Sequence, residues 1–163
     1  MYSTQAKQNG LSECGLDKGF MWRRWKRATN YIHGLQTYQD MSPDLLVRRQ
    51  VNQSLRNHRR SLSSDAWCSE CHRATHAQRD TLLFVYRSLA TYSGLEFSRV
   101  RPADRLVDDL QFPLVCWFDW PLRFCDDVIQ RFDVDISETF DEAELDTLAD
   151  LIRFLEECLQ QNP

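Results

Sequence analysis

The chain has 163 residues, 20 Lys/Arg against 24 Asp/Glu, and a net charge of −4, enough for one domain of ordinary size or a smaller domain with an attached tail. No run reaches the ~18 apolar residues of a membrane span, and the opening M-Y-S-T-Q-A-K-Q-N-G lacks the apolar core of a secretory signal. These features predict a cytoplasmic protein without a membrane partner, in which the six cysteines are thiols rather than disulfides.

Charge is unevenly divided. Up to Ala77 there are 12 Lys/Arg against 6 Asp/Glu; from Gln78 onward there are 8 against 18. A basic front and an acidic back point to two units with different partners, or to a front that folds against its own body.

Residues 1–19 are polar and offer little to bury, so they read as disordered. Phe20–Leu35 (F-M-W-R-R-W-K-R-A-T-N-Y-I-H-G-L) interleaves rings and cations. That mixture suits nucleic acid, a membrane surface or an acidic protein face. The plainer reading is a short helix docking Trp22, Trp25 and Tyr31 on the rest of the protein. Nucleic-acid binding through this arginine-rich front is therefore an alternative rather than the favoured function. Ser42-Pro43-Asp44 marks a helix start, predicting one helix near 43–60 with Val47, Val51 and Leu55 on one side. Ser61–Asp65 reads as a linker, and residues 1–66 as a basic, partly helical region ahead of a domain at 67–163.

Cys68-Ser69-Glu70-Cys71-His72 matches C-x-x-C-H, the signature of covalent haem attachment, in which two thiols take the vinyl groups and the histidine ligates iron. With His76 the two cysteines form C-x2-C-x4-H, three ligands of a tetrahedral zinc site that Cys14 could complete. The plainest reading is two ordinary thiols ahead of a helix, with solvent-facing histidines. No cofactor is expected.

Thr75–Ser93 reads as a strong helix, with Thr75 and Gln78 as a capping box and Gly94 as the stop. Its buried stripe is Leu82, Val85, Tyr86 and Leu89. A loop holding Val100 and Leu106 leads to Q-F-P-L-V-C-W-F-D-W-P-L and then to an amphipathic helix. Asp119 is a suitable cap there and Pro121 fits the first turn. Phe118, Leu122, Cys125, Ile129 and Phe132 recur at helical spacing and predict its buried stripe. Phe118 and at least one tryptophan are expected to pack inward. Another ring should stay exposed beside Asp126 and Asp127, and Trp117, Trp120, Asp126 and Asp127 are the expected partner-binding residues. An acidic turn around Asp141–Leu145 precedes a closing helix carrying Leu148, Leu151, Ile152, Leu155 and Leu159. Strand signals are nearly absent, so the fold class is all-α, a small bundle.

This order of elements resembles the acyl carrier protein family, over about Gln78 to Gln160. F-V-Y-R-S-L-A-T-Y-S-G-L-E-F-S-R-V-R-P-A-D-R-L-V-D-D-L looks like its first helix and the loop to a D-D-L element, here Asp108-Asp109-Leu110; R-F-D-V-D-I and T-L-A-D-L-I-R-F-L look like its second half. The resemblance implies a helical bundle whose acidic second helix docks on basic patches of partner proteins. The family also carries phosphopantetheine on a serine at the start of that helix. No serine occurs here between Ser98 and Ser137, so the group has no attachment point. Acyl carriage is not implied. The expectation is a non-catalytic protein-interaction module whose partner has a basic surface, the chain's own basic front included; the alternatives are a metal or haem protein using Cys68, Cys71 and His72, and the nucleic-acid binder. No nucleophile elbow, phosphate loop or metalloprotease motif points to an enzyme.

Overall fold

A computed structural model describes residues 42–161. The expected disorder of residues 1–19, the ring-and-cation segment Phe20–Leu35 and Cys14 lie outside the described residues. Among the described residues six α-helices follow one another: α1 (Leu45–His58), α2 (Ser64–Thr75), α3 (Arg79–Ser93), the short α4 (Phe112–Val115), α5 (Trp120–Phe132) and α6 (Leu148–Gln161). Two 3₁₀ turns, Phe97–Arg99 and Glu142–Glu144, fill the loops. Among the described residues there is no strand, only one bridge between Arg105 and Thr147. The all-α bundle expected from the pattern is therefore what forms. No helix of the described residues is long and apolar enough to cross a membrane.

The helix ends are explained by local chemistry. Asp44 caps α1, its carboxylate accepting from the backbone N–H of Leu46 at 2.8 Å and of Val47 at 3.1 Å. Capping thus falls to Asp44 rather than Ser42, because a carboxylate also favours the positive end of the helix. Thr147 and Asp150 form a reciprocal capping box at α6, with bonds of 3.0 and 3.2 Å between each side chain and the other's backbone N–H. The cap of α3 comes from another helix. Glu156 of α6, only 6% exposed, accepts from the N–H of Gln78 at 3.2 Å and so satisfies a donor that α3 cannot use itself. Three helices end on a residue in the left-handed region, His76, Gly94 and Asp133. A Cβ at Gly94 would also lie 3.0 Å from the Arg48 guanidinium, which would have to give way.

The region before α3 departs from the expected layout. Cys68 and Cys71 are not ahead of a helix; they lie inside α2, whose start Ser63 caps by accepting from the N–H of Ala66. Thr75 ends this helix instead of opening the next, its hydroxyl donating to the carbonyl of Cys71 at 2.8 Å. Trp67 and Cys71, four apart and both fully buried, anchor α2 on the bundle. The Trp67 indole N–H donates to the Val100 carbonyl at 3.0 Å, and its ring meets Tyr86 edge-on at 5.0 Å.

α2, α3 and α6 pack mutually, and α5 lies against α3. Their shared core holds Leu82, Val85 and Leu89 of α3, Leu148, Leu151, Ile152 and Leu155 of α6, and Phe124 and Val128 of α5, all fully buried. The expected stripes of α3 and α6 are thus the ones that face inward, apart from Tyr86 and Leu159, which are half-buried. α1, expected within a separate N-terminal region, packs on α4, with Val51 and Leu55 joining the same core.

Candidate interaction surface

α5 is where the expected and observed faces differ. Its inward residues are Trp120, Phe124, Cys125 and Val128. Phe124 lies between the rings of Phe84 at 5.8 Å and Phe140 at 5.3 Å, and Trp120 meets Phe112 edge-on at 5.4 Å. The stripe assigned to the core by spacing is instead turned outward: Phe118 is 51% exposed, Leu122 60% and Ile129 37%. Cys125 and the half-buried Phe132 border the two faces. The physical reason is competition for one interior. The helix carries apolar residues around most of its circumference, and the two large rings Trp120 and Phe124, with Cys125 and Val128, fill the space, leaving the second row in solvent.

The four residues singled out for partner binding therefore have three fates. Trp117 is exposed, as is Asp126. Trp120 is buried and belongs to the core, so it is not available as an anchor. Asp127 is half-buried and accepts from the phenol of Tyr92, which ties α5 to α3. Burial, and then this bond to a carboxylate, push the Tyr92 phenol well above its ordinary range, so it remains a neutral donor.

What emerges on the outer side of α5 is a row: Leu122, Asp126 and Ile129 at spacings of four and three, with Phe118 four before Leu122 at the mouth of the helix. Trp117 and Leu114, 47% and 50% exposed, continue apolar character toward α4. Leu122 and Ile129 were visible in the sequence as helical-period residues; their role escaped because a period does not say which of two apolar rows faces in. The D-D-L element is placed differently. Leu110 is fully buried, Asp108 pairs with Arg105, and Asp109 accepts from the Arg105 N–H at 2.9 Å, so these acids brace a loop.

The C-x-x-C-H residues sit on two sides of α2. Cys68 and Cys71 point into the bundle and are buried, whereas His72 and His76 are exposed, their rings 6.2 Å apart. His72 Nδ1 donates to the Ala77 carbonyl at 2.8 Å, which fixes the proton on that nitrogen. Burial pushes the Cys71 thiol up to about 12 and raises that of Cys68 as well, so both stay protonated. Among the described residues no group of three or more His, Cys, Asp or Glu is placed to hold a metal ion. An open cavity of about 360 Å³ lies beside them, lined by Cys68, Ser69, His72, Arg73, Arg79 and Leu82; Arg79 is already paired with Asp65.

No protein-family model, curated protein or solved structure matches this chain.

Proposed function

We propose that the protein is a non-catalytic interaction module, built on an acyl-carrier-like scaffold that lacks the serine for a prosthetic group, and that it binds a protein partner through the outer row of α5. The observation that carries this reading is the pair Leu122 and Ile129, which expose apolar side chains two turns apart with the Asp126 carboxylate between them. A helix that keeps an apolar row in water forgoes the gain of burying it, and a contact surface recovers that gain on binding. Phe118 and Trp117 supply rings at the end of the row, the residue types that contribute most at interfaces. Asp126 and the acidic balance after Gln78 favour a partner that presents Lys or Arg around an apolar centre. The order α3, loop, α5, acidic turn and α6 supports the scaffold assignment.

The test is comparative proximity labelling in the native host, with wild type, Leu122→Glu plus Ile129→Glu, and a control substitution at an exposed residue of α6, Glu157→Lys. The reading expects a neighbour lost in the double variant and kept in the control, with direct binding of the purified pair weakened about tenfold or more, the scale of a central contact. Neighbours identical for all three proteins would remove the α5 row from consideration.

A further inference from the structure

α1 is attached to the molecule by means unlike those of the other long helices. It has 14 residues but buries only Val51 and Leu55, while α3 buries six residues, four of them completely. Val47 is half-buried against the same core, and the other anchors are polar. Arg48 donates to the Val115 carbonyl at 2.7 Å, Asn52 accepts from the Glu96 N–H at 2.8 Å, Arg56 pairs with Glu96, and Arg59 pairs with Asp104. Of these, the Arg56–Glu96 pair is exposed enough to be weakened by salt. Arg48 Nε is buried with no partner, so even the docked state leaves one donor unpaid. The chain leaving α1 is held in place, the Leu62 N–H donating to the Ser98 carbonyl at 2.8 Å.

What α1 covers is equally specific. It packs on α4, and Cys116 directly after α4 is buried, 3% exposed, with the Arg48 guanidinium near enough to act on its charge. Val115 beside it is fully buried, while Leu114 is half exposed. Few buried apolar contacts and many water-exchangeable polar ones are the marks of a segment that opens on its own.

We propose that α1 is a detachable clasp, which undocks as a unit while α2, α3, α5 and α6 stay folded, baring Val115 and the Cys116 thiol next to the apolar surface of Leu114 and Trp117. This holds whether or not the α5 row binds a partner. Three of the buried thiols make it measurable, because Cys116 follows α4 whereas Cys71 lies in α2 and Cys125 in α5, away from the clasp.

The experiment is time-resolved alkylation of the full-length protein by N-ethylmaleimide under native conditions, with each cysteine followed by peptide mass spectrometry. Cys116 should react about tenfold or more faster than Cys71 and Cys125, as a locally opening segment does relative to the global fold. Arg59→Ala and high salt should each widen that ratio. If Arg59→Ala does not fold, the wild-type ratio alone decides. Cys116 reacting in step with Cys71 and Cys125, or more slowly, shows α1 opening only with the whole fold and overturns the proposal.

Discussion

α3 and α5 are helices of nearly equal length, 15 and 13 residues, lying against each other, yet they use their apolar residues differently. α3 is surrounded: α2, α5 and α6 all pack on it, and its stripe of Leu82, Val85 and Leu89 is completely buried. α5 has an interior on one side, filled by Trp120, Phe124 and Val128, and a second apolar row left facing water. The difference teaches that an apolar row becomes core only where a neighbour closes over it. Where it does not, the row is free for another molecule.

The largest effects should separate the two faces of α5. Phe124→Ala removes a fully buried ring and should cost about 3–5 kcal/mol, whereas Leu122→Ala, two positions earlier, should stay within about 0.5 kcal/mol. Urea melts of both variants check this, and equal losses would mean that the outer row is core after all. On the α3 side, Glu156→Ala removes the acceptor that α6 lends to the start of α3. The expected loss is about 1–2 kcal/mol, comparable to losing a good helix cap, and Glu156→Gln should restore part of it. If the alanine variant melts like wild type, α3 does not depend on that borrowed cap.

The tie between the two helices is smaller. Tyr92→Phe deletes the donor to Asp127 and should cost about 1 kcal/mol, since water can still reach the half-buried carboxylate. An unchanged melting midpoint would show that ring packing alone joins α3 to α5. The smallest effect is a pH dependence. The Arg56 guanidinium holds the Glu96 carboxyl below its ordinary range, and the Thr147 hydroxyl does the same to Asp150. Groups with a depressed native pKa contribute stability that is fully present above about pH 4–5, and it is lost as the pH falls through the native values. Glu96→Gln should therefore flatten, slightly, the acid limb of a stability–pH curve measured between about pH 5 and pH 2. An identical limb in both proteins would mean that the Arg56 pair contributes nothing measurable.

Much of the bundle was legible in the sequence because local signals there agreed with their surroundings. The stripes of α3 and α6, the stop at Gly94 and the acidic turn before α6 needed only period and turn chemistry to be read. α2 was missed because its few apolar residues, Trp67, Cys68 and Cys71, look like a metal or haem motif when taken as letters. Inside a helix, the same spacing puts both thiols on the buried face and His72 outside it. The site was legible only in part: Trp117 and Asp126 are exposed as expected, Trp120 and Asp127 are engaged within the fold, and Leu122 and Ile129 were assigned to the wrong side.

The sequence by itself determined that this region is helical and that α3 stops at Gly94, because each of these depends on neighbouring residues alone. The tertiary structure decided which apolar row of α5 is core, that Asp44 and Val115 bring α1 and α4 together through Leu114 and Arg48, and that Glu156 serves α3 across 78 residues of chain. Those outcomes depend on which surfaces meet and how much volume they leave, and a periodic pattern carries the angle between residues but not the identity of the neighbour that fills it.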